Sequence, residues 1–359
     1  MMTCSKKLSF LLPGAISTPG GGYKIILEHA NELARQGHDV TIECPVKIDT
    51  KKSVVKDLNF LRLYYKRKYR IGYSCEGWFA LHPAIKVRWI WSLDYKQVAP
   101  ADIYIATEVR TSIYLAKYPI EASRKYYFIQ GYENWFVSDE EVRATYRFPM
   151  TKMAITHWLV KIVQEEGASC ALTPNGFDTE KFHITHPVIE RDPYTISMLY
   201  HWQGLKDIPT ALAALKVVKS RFPQLKVLVF GDMPRPELPA WFEYHQRPSD
   251  EEHIRLNNQA AIYVGASKIE GFGLTVGEAM LCGQAVACTD NLGYQEMAKH
   301  ETTALLSPVG DPQALASNII RLIEDDPLRF RLAQAGHDYI HAHFSWEKAH
   351  EAFNHVLGL

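Results

Sequence analysis

The stretch from 262 to 289 leaves this chain few folds to choose from. It reads Ile-Tyr-Val-Gly-Ala, then Ser-Lys-Ile-Glu-Gly-Phe-Gly, then Leu-Thr-Val-Gly-Glu-Ala-Met-Leu-Cys, then Gly-Gln and Ala-Val-Ala-Cys-Thr. The first run is short, apolar and rich in β-branched residues, the pattern of a buried parallel strand. Residues 267–273 form a loop with two glycines. Residues 274–282 have helical spacing and stop at Gly283, which predicts a helix with that glycine just past its end. Residues 285–289 read as the next strand. Strand, glycine-rich loop, helix and strand make one βαβ unit. The helix start turns unpaired N–H groups and the positive end of the helix dipole toward the loop, so an anion is favoured there. Gly271 and Gly273 would let a ligand come close to the backbone.

Two carboxylates frame that turn. Glu270 precedes the helix and Glu278 sits about one turn inside it. With an anionic diphosphate at the helix start, both remain available to accept hydrogen bonds from sugar hydroxyls. A bare pair of glutamates at this spacing carries no information. The whole run of Ser267, Glu270-Gly271-Phe272-Gly273, Glu278-Ala279-Met280 and Gly283 does, and it resembles the E-x7-E signature of the retaining family 4 glycosyltransferases. The resemblance implies that Glu270 lies by the donor sugar and that Glu278 holds the ribose of the nucleotide. It implies donor contacts from Ser267, Gly271, Phe272, Gly273 and Leu274 as well. The competing structural reading makes Glu270 a loop carboxylate and Glu278 a solvated helix residue.

At 359 residues the chain has the length of about two domains, each able to bury its own core. Lys+Arg and Asp+Glu are both 40, so no global field argues for nucleic acid. The apolar run at 8–12 is too short for a signal peptide and Pro13 breaks it, so it reads as a first strand. No apolar run has the length of a membrane span. Cys4, Cys44, Cys75, Cys170, Cys282 and Cys288 are scattered without a C-x-x-C pair. They read as reduced core residues of a cytoplasmic protein rather than a disulfide frame or zinc site.

Along the chain, strands are expected at 8–12, 40–43, 103–106, 126–130 and 154–156, then at 196–200, 225–230, 262–266 and 285–289. Helical spacing marks 23–36, 157–166, 207–222, 249–260, 274–282, 312–324 and 327–342. A second glycine-rich turn, Gly20-Gly21-Gly22, precedes the first helix, but no G-x-G-x-x-G fingerprint follows. The resemblance lets Gly21 and Gly22 face donor phosphates or acceptor; a plain tight turn is the alternative. Residues 47–70 are basic, with Tyr64, Tyr65 and Tyr69 interleaved, and Trp78, Phe79, Trp89 and Trp91 follow. This region, 47–91, reads as a patch for an anionic acceptor or a membrane surface, with a solvated face and ordinary core packing as the alternatives. The run Tyr-Phe-Ile-Gln-Gly-Tyr-Glu at 127–133 resembles a segment of a bacterial, rhamnosyltransferase-like branch of the same family, which implies an acceptor-side, catalytic place for Glu133. Pro174-Asn175-Gly176-Phe177-Asp178 resembles the turn that closes the family's N-domain.

The resemblance covers nearly the whole chain and is weaker over 45–120. It implies the GT-B fold, two doubly wound Rossmann-like domains facing a cleft. The expected division is 1–185 for an acceptor-side domain, with a last helix at about 345–359 packing back on it, and 190–344 for the donor domain. The implied reaction is retaining transfer of a hexosyl or deoxyhexosyl group from a UDP-, dTDP- or GDP-linked donor to a hydroxyl of a glycan or lipid-linked acceptor, as in surface polysaccharide synthesis. No metal or other cofactor is expected, since no D-x-D sits at a strand end. The location expected is cytoplasmic, with a peripheral contact at the inner membrane face. One departure stands out. The family places an Arg and a Lys after the second domain's first strand, whereas this loop is His201-Trp202-Gln203-Gly204-Leu205-Lys206. Lys206 can take the Lys role as a catalytic point charge on the diphosphate, and His201 or a backbone amide would stand in for the Arg. An epimerase of nucleotide sugars on the same fold, or a non-catalytic binding protein, are the alternatives.

Overall fold

The computed structural model describes residues 5–48, 54–69 and 73–359. The chain divides into two compact units, one of Met1–Pro174 with His350–Leu359 and one of Asn175–Ala349. The change of unit comes before the linker expected from sequence at 181–192. The amide of Phe177 donates to the carbonyl of Phe344 at 2.8 Å, which ties this short segment to the second unit.

The first unit runs β1 (Lys7–Leu11), α1 (Gly21–Arg35), β2 (Asp39–Pro45), α2 (Val54–Lys68), β3 (Lys86–Ile90), β4 (Ile103–Ala106), α3 (Val109–Ala116), β5 (Lys125–Ile129), α4 (Asp139–Tyr146), β6 (Thr151–Ala154), α5 (His157–Glu165) and β7 (Cys170–Leu172). Its strands pair in parallel in the order β3-β2-β1-β4-β5-β6-β7. The order reverses between β1 and β4, where Leu8 faces Ile103 and Leu11 faces Ala106. Such reversals leave a crevice at the strand carboxyl ends, where open α/β sheets bind ligands. α1 starts beside that crevice, and α3 starts there after β4.

The second unit runs β8 (Thr195–Leu199), α6 (Ile208–Arg221), β9 (Lys226–Gly231), β10 (Phe242–Gln246), α7 (Asp250–Gln259), β11 (Ile262–Gly265), α8 (Leu274–Leu281), β12 (Ala285–Thr289), β13 (Leu305–Ser307), α9 (Pro312–Glu324) and α10 (Asp326–His343); α11 (Trp346–Leu357) follows. Its parallel sheet has the order β10-β9-β8-β11-β12-β13, reversing between β8 and β11. Val227, Val229, Ile262, Val264, Ala285 and Ala287 bury one face of this sheet against Leu215, Leu315, Ile319 and Leu322 of the helices. Both sheets are therefore of the doubly wound, Rossmann-like kind.

α8 ends as its glycine predicts. Gly283 has φ 75°, and its amide donates to Met280 while that of Gln284 donates to Ala279, the paired bonds of a left-handed helix stop. The strand expected at 154–156 lies instead at Thr151–Ala154, and Lys152 within it is buried because its ammonium donates to the carbonyl of Phe148 at 2.6 Å. Cys44, Cys75, Cys170, Cys282 and Cys288 are free thiols, and Cys4 lies outside the described residues.

From His350 onward the chain packs on the first unit. Phe353 is fully buried, stacked on His29 at 4.0 Å and edge-on to Phe128 at 5.2 Å. Phe353→Ala should destabilise the first unit by about 3–5 kcal/mol, seen as a fall in the urea midpoint of that unit's transition. A shift below about 1 kcal/mol would mean that the C-terminal segment adds nothing to it.

Candidate functional site

Strand β8 delivers the loop 200–207 to the reversal point of the second sheet, and β11 delivers the loop 266–273. The two loops are tied by the Lys268 amide, which donates to the Leu205 carbonyl at 2.7 Å. The ammonium of Lys206 lies 2.6 Å from Oε1 of Glu270. The hydroxyl of Ser267 donates to the same oxygen at 2.7 Å. Lys206, Ser267 and Glu270, singled out from sequence, are thus brought together. Among the described residues the hydrogen bonds to this carboxylate fall on Oε1.

What holds the loop was not read from the sequence. Ser267 is pinned by its carbonyl, which accepts from Thr289 Oγ1 at 2.6 Å and from Asn291 Nδ2 at 3.1 Å. Tyr294 donates its phenol proton to Ser267 Oγ at 3.1 Å. Its ring lies under the loop, so that a Cβ on Gly273 would come within 2.5 Å of it, and Gly273 also has φ 98°. Gly273 is therefore needed by the protein's own packing, beyond any ligand. Burial, and then the charge of Glu270, push the Tyr294 phenol well above its usual range, so it stays a proton donor. Tyr294 follows Glu270 by 24 residues, and no local spacing announces it.

The remaining motif residues divide. Gly273 is the residue before α8, and no side chain caps that helix start. Leu274 opens the helix and is half-buried. Phe272 turns inward, 5.4 Å from Phe344 and 5.8 Å from Phe177, so any contact it makes with a ligand is through its backbone. Glu278 is only 8% exposed, which overturns the reading of it as a solvated helix residue. Beside Lys206, His201 accepts the Gln203 amide on Nδ1 at 3.2 Å, which puts its ring proton on Nε2. Burial, then the Lys206 charge, lowers its pKa, so this imidazole is neutral. Trp202, stacked on it at 5.8 Å, is 69% exposed.

The first unit carries its own polar cluster at its sheet reversal. Glu108 caps α3, accepting the Arg110 amide at 2.8 Å, and pairs with the Arg110 guanidinium at 3.0 Å. Glu133, buried, accepts the Val109 amide at 2.7 Å. Its carboxyl is pushed well above the usual range by burial first and the charge of Glu108 second. Tyr23, next to Gly22, has its phenol pushed up to about 12 by burial, with Glu108 and Glu133 contributing. Gly21 and Gly22 begin α1, and none of Gly20, Gly21 and Gly22 has a positive φ. A Cβ on Gly22 would meet only the Gln130 amide at 3.6 Å, so neither turn geometry nor crowding requires this glycine. Among the described residues no group of three His, Cys, Asp or Glu is placed to hold a metal ion.

Residues 180–339 match the model of glycosyl transferases group 1. Over 95% of its length the chain is 22% identical to a phosphatidyl-myo-inositol mannosyltransferase of Mycolicibacterium smegmatis, 90% of which is covered. It is 32% identical to the O-antigen chain mannosyltransferase B of Escherichia coli over 30% of the chain and 27% of that protein. The chain is a glycosyltransferase. Its fold is similar to that of Anabaena HepE, solved with UDP and glucose, with a TM-score of 0.72 at 16% identity over 98% of this chain and 99% of that one. It is similar too to sucrose-phosphate synthase of Thermosynechococcus elongatus, with a TM-score of 0.73 at 15% identity and 98% coverage of both chains. These likenesses are of fold, the GT-B type.

The Glu133 environment has a measurable consequence for this glycosyltransferase. Its folded pKa lies above the ordinary value of 4.5, so between the two the folded state holds a proton that the unfolded state has released. Stability from this group is therefore lost as pH rises through that window. Glu133→Gln keeps an acceptor for the Val109 amide and removes the titration. Its stability relative to the parent should rise as pH is raised above 4.5, in urea unfolding. A difference that is flat with pH would show that Glu133 does not titrate abnormally.

Proposed function

We propose that this enzyme is a family 4 glycosyltransferase that moves a sugar, with retention, from a nucleoside diphosphate donor bound in its second unit to a hydroxyl of a glycan or lipid-linked acceptor. The observation that carries this reading is the joining of Lys206, Ser267 and Glu270 at the sheet reversal, just before the uncapped start of α8.

In the transition state the sugar becomes oxocarbenium-like and negative charge grows on the departing diphosphate. Stabilising that charge is the main electrostatic task. Lys206 offers a point charge, and the α8 start offers backbone N–H groups and its dipole. His201, protonated on Nε2, offers a neutral donor where the family has an arginine. These groups do the work a metal would do, so no metal is needed. Glu270, pinned through Oε1 by Ser267 and Lys206, is set to accept hydroxyls of the transferred sugar through Oε2. Glu278, one turn inside the helix and buried, suits the ribose hydroxyls.

On the first unit, Gly22 leaves room at the start of α1 with no structural demand of its own, and Gly21 stands beside it. Glu133, held protonated, can donate a hydrogen bond that a carboxylate cannot, which suits an acceptor-side role. A donor linked to UDP, dTDP or GDP fits this reading. The relatives named as mannosyltransferases, and HepE solved with UDP and glucose, support a hexosyl donor. A rhamnosyltransferase-like specificity rests on the segment 127–133, and work on surface polysaccharide at the cytoplasmic side of the membrane is consistent with it.

The two glutamates should separate experimentally. Glu278→Ala should weaken binding of the free nucleoside diphosphate by about 1.5–3 kcal/mol, because its charge-assisted hydrogen bonds exist in ground and transition state alike. Glu270→Ala should leave that affinity nearly unchanged and lower kcat, since the diphosphate lacks the sugar that Glu270 meets. Calorimetry with the diphosphate, beside turnover of both variants, reads this out. If Glu270→Ala loses diphosphate binding, the assignment is reversed; if neither variant changes anything, the reading fails. Transfer in excess EDTA should continue at the untreated rate, and a loss restored by Mg²⁺ or Mn²⁺ would overturn metal independence.

A further inference from the structure

The loop that follows β5 carries two large rings into solvent. Trp135 is 54% exposed and Phe136 63% exposed. Rings of this size are among the largest apolar surfaces a fold can bury, so two left out together mark a contact surface. The loop is tied at both ends. The amide of Asn134 donates to the Tyr132 carbonyl at 3.1 Å, and its side-chain Nδ2 donates to Asp139 Oδ1 at 2.9 Å. Just beyond, the Ser138 hydroxyl accepts the Glu141 amide at 3.2 Å and the Glu141 carboxylate accepts the Ser138 amide at 2.9 Å, a capping box that fixes the start of α4. From the side of α3 the Arg110 guanidinium lies over the Phe136 ring at 4.0 Å.

Arg110 is itself held in place. Its Nε donates to Glu108 Oε1 at 3.0 Å, and its side chain is only 19% exposed. Among the described residues the side-chain hydrogen bonds of Arg110 run through Nε alone. Both terminal NH2 groups therefore keep their donors for another partner. Glu133, two residues before Trp135, sits on the Val109 amide with a carboxyl that burial holds toward its protonated form. The loop thus sets exposed rings beside fixed hydrogen-bond donors, at the carboxyl edge of the first sheet.

The chemistry narrows the occupant. Asp139, Glu140 and Glu141 open α4, so an anionic bilayer or a nucleic acid strand would meet like charge here. An aliphatic chain would leave the Arg110 donors unmatched. A pyranose ring suits both halves. One of its faces is a sheet of C–H groups, which stack on the negative face of an aromatic ring. Its rim is hydroxyls, which accept from fixed N–H donors. We propose that Trp135 and Phe136 form a stacking platform for a sugar ring of the acceptor, with Arg110 donating to the hydroxyls of that ring. The acceptor is then a saccharide, whether a free glycan or the sugar head of a glycolipid, and a lipid alcohol without a sugar is not a substrate. This inference rests on the reading of the first unit as the acceptor side. Its test uses no donor, so its failure leaves the donor chemistry of the second unit standing, and a failure of donor binding leaves this test readable.

The test is saturation-transfer NMR of the full chain with the methyl and n-octyl α-glycosides of D-glucose, D-mannose, D-galactose and L-rhamnose, the octyl compounds below their micelle concentrations. With the parent, saturation should reach the C–H protons on one face of at least one of these rings. Trp135→Ala and Phe136→Leu should each weaken that binding at least about threefold. Trp135→Phe, which keeps a ring, should retain most of it. Arg110→Lys, which keeps the charge and loses the fork, should weaken it as well. Trp135 and Phe136 face solvent, so unchanged circular dichroism and urea midpoints should accompany the losses at these two positions. Saturation confined to the sugar supports a free glycan as the source, and saturation reaching the octyl chain as well supports a glycolipid. Several results would overturn the proposal: no saturation of any glycoside by the parent, equal saturation by the parent and Trp135→Ala, saturation of the octyl chain with the ring silent, or a dimer in sedimentation velocity that Trp135→Ala abolishes.

Discussion

Tyr294 lies wholly buried beneath the 267–273 loop, and the candidate site depends on it. Its phenol holds Ser267, Ser267 in turn holds Oε1 of Glu270, and Lys206 meets the same oxygen from the neighbouring loop. The ring fills the space that a side chain on Gly273 would need, and the carbonyl of Glu270 closes over Gly293 in the same way. Asn291 locks the far side, accepting the amides of Gly293 and Tyr294 at 3.1 Å each. Groups held in this way need little rearrangement when charge develops nearby, the condition under which fixed donors are worth most.

Most of the parallel core was legible because strands buried on both faces are apolar runs bounded by turns. Ile103–Ala106 and Ala285–Thr289 are such runs. What escaped departs from that rule for a physical reason. Strand β10 is Phe-Glu-Tyr-His-Gln, an edge strand with a half-solvated face, and it does not look like a core strand. Strand β6 opens with Thr-Lys, and β5 opens with Lys125, whose ammonium donates to the Tyr118 carbonyl at 2.7 Å. Burying a lysine is tolerable only with such partners, and those partners lie on other elements. Helices α3 and α4 are eight residues each, too short for helical spacing to stand out. Helix α2 was hidden because Leu58, Leu61 and Tyr65 face outward, which defeats a reading that assumes such residues face in.

At the site, the local motif was legible and its supports were not. Glu270, Glu278 and the glycines follow one another within a few residues, whereas Thr289, Asn291 and Tyr294 reach the loop through the fold. Even within the motif, spacing says which residues are near but not which way they turn. Phe272 is an anchor in an aromatic cluster, and Glu278 is buried rather than solvated. Glu133 carries a structural duty that its place in a sequence segment did not announce, closing the start of α3 through the Val109 amide.

The two sheets reverse at equivalent places yet put opposite chemistry there. The second unit sets a lysine against a glutamate, Lys206 and Glu270, 2.6 Å apart. The first sets Glu133 near Glu108, with Arg110 already bound to Glu108. Burial and like charge then work together on Glu133 and favour its protonated form. Such a pair costs stability at neutral pH. The Val109 amide explains an acceptor at this position, but a glutamine would supply one without the titration. What glutamate alone adds is a carboxyl that can donate a hydrogen bond or release its proton as its surroundings change. Residues shifted in this way by burial and a defined neighbour concentrate at functional sites.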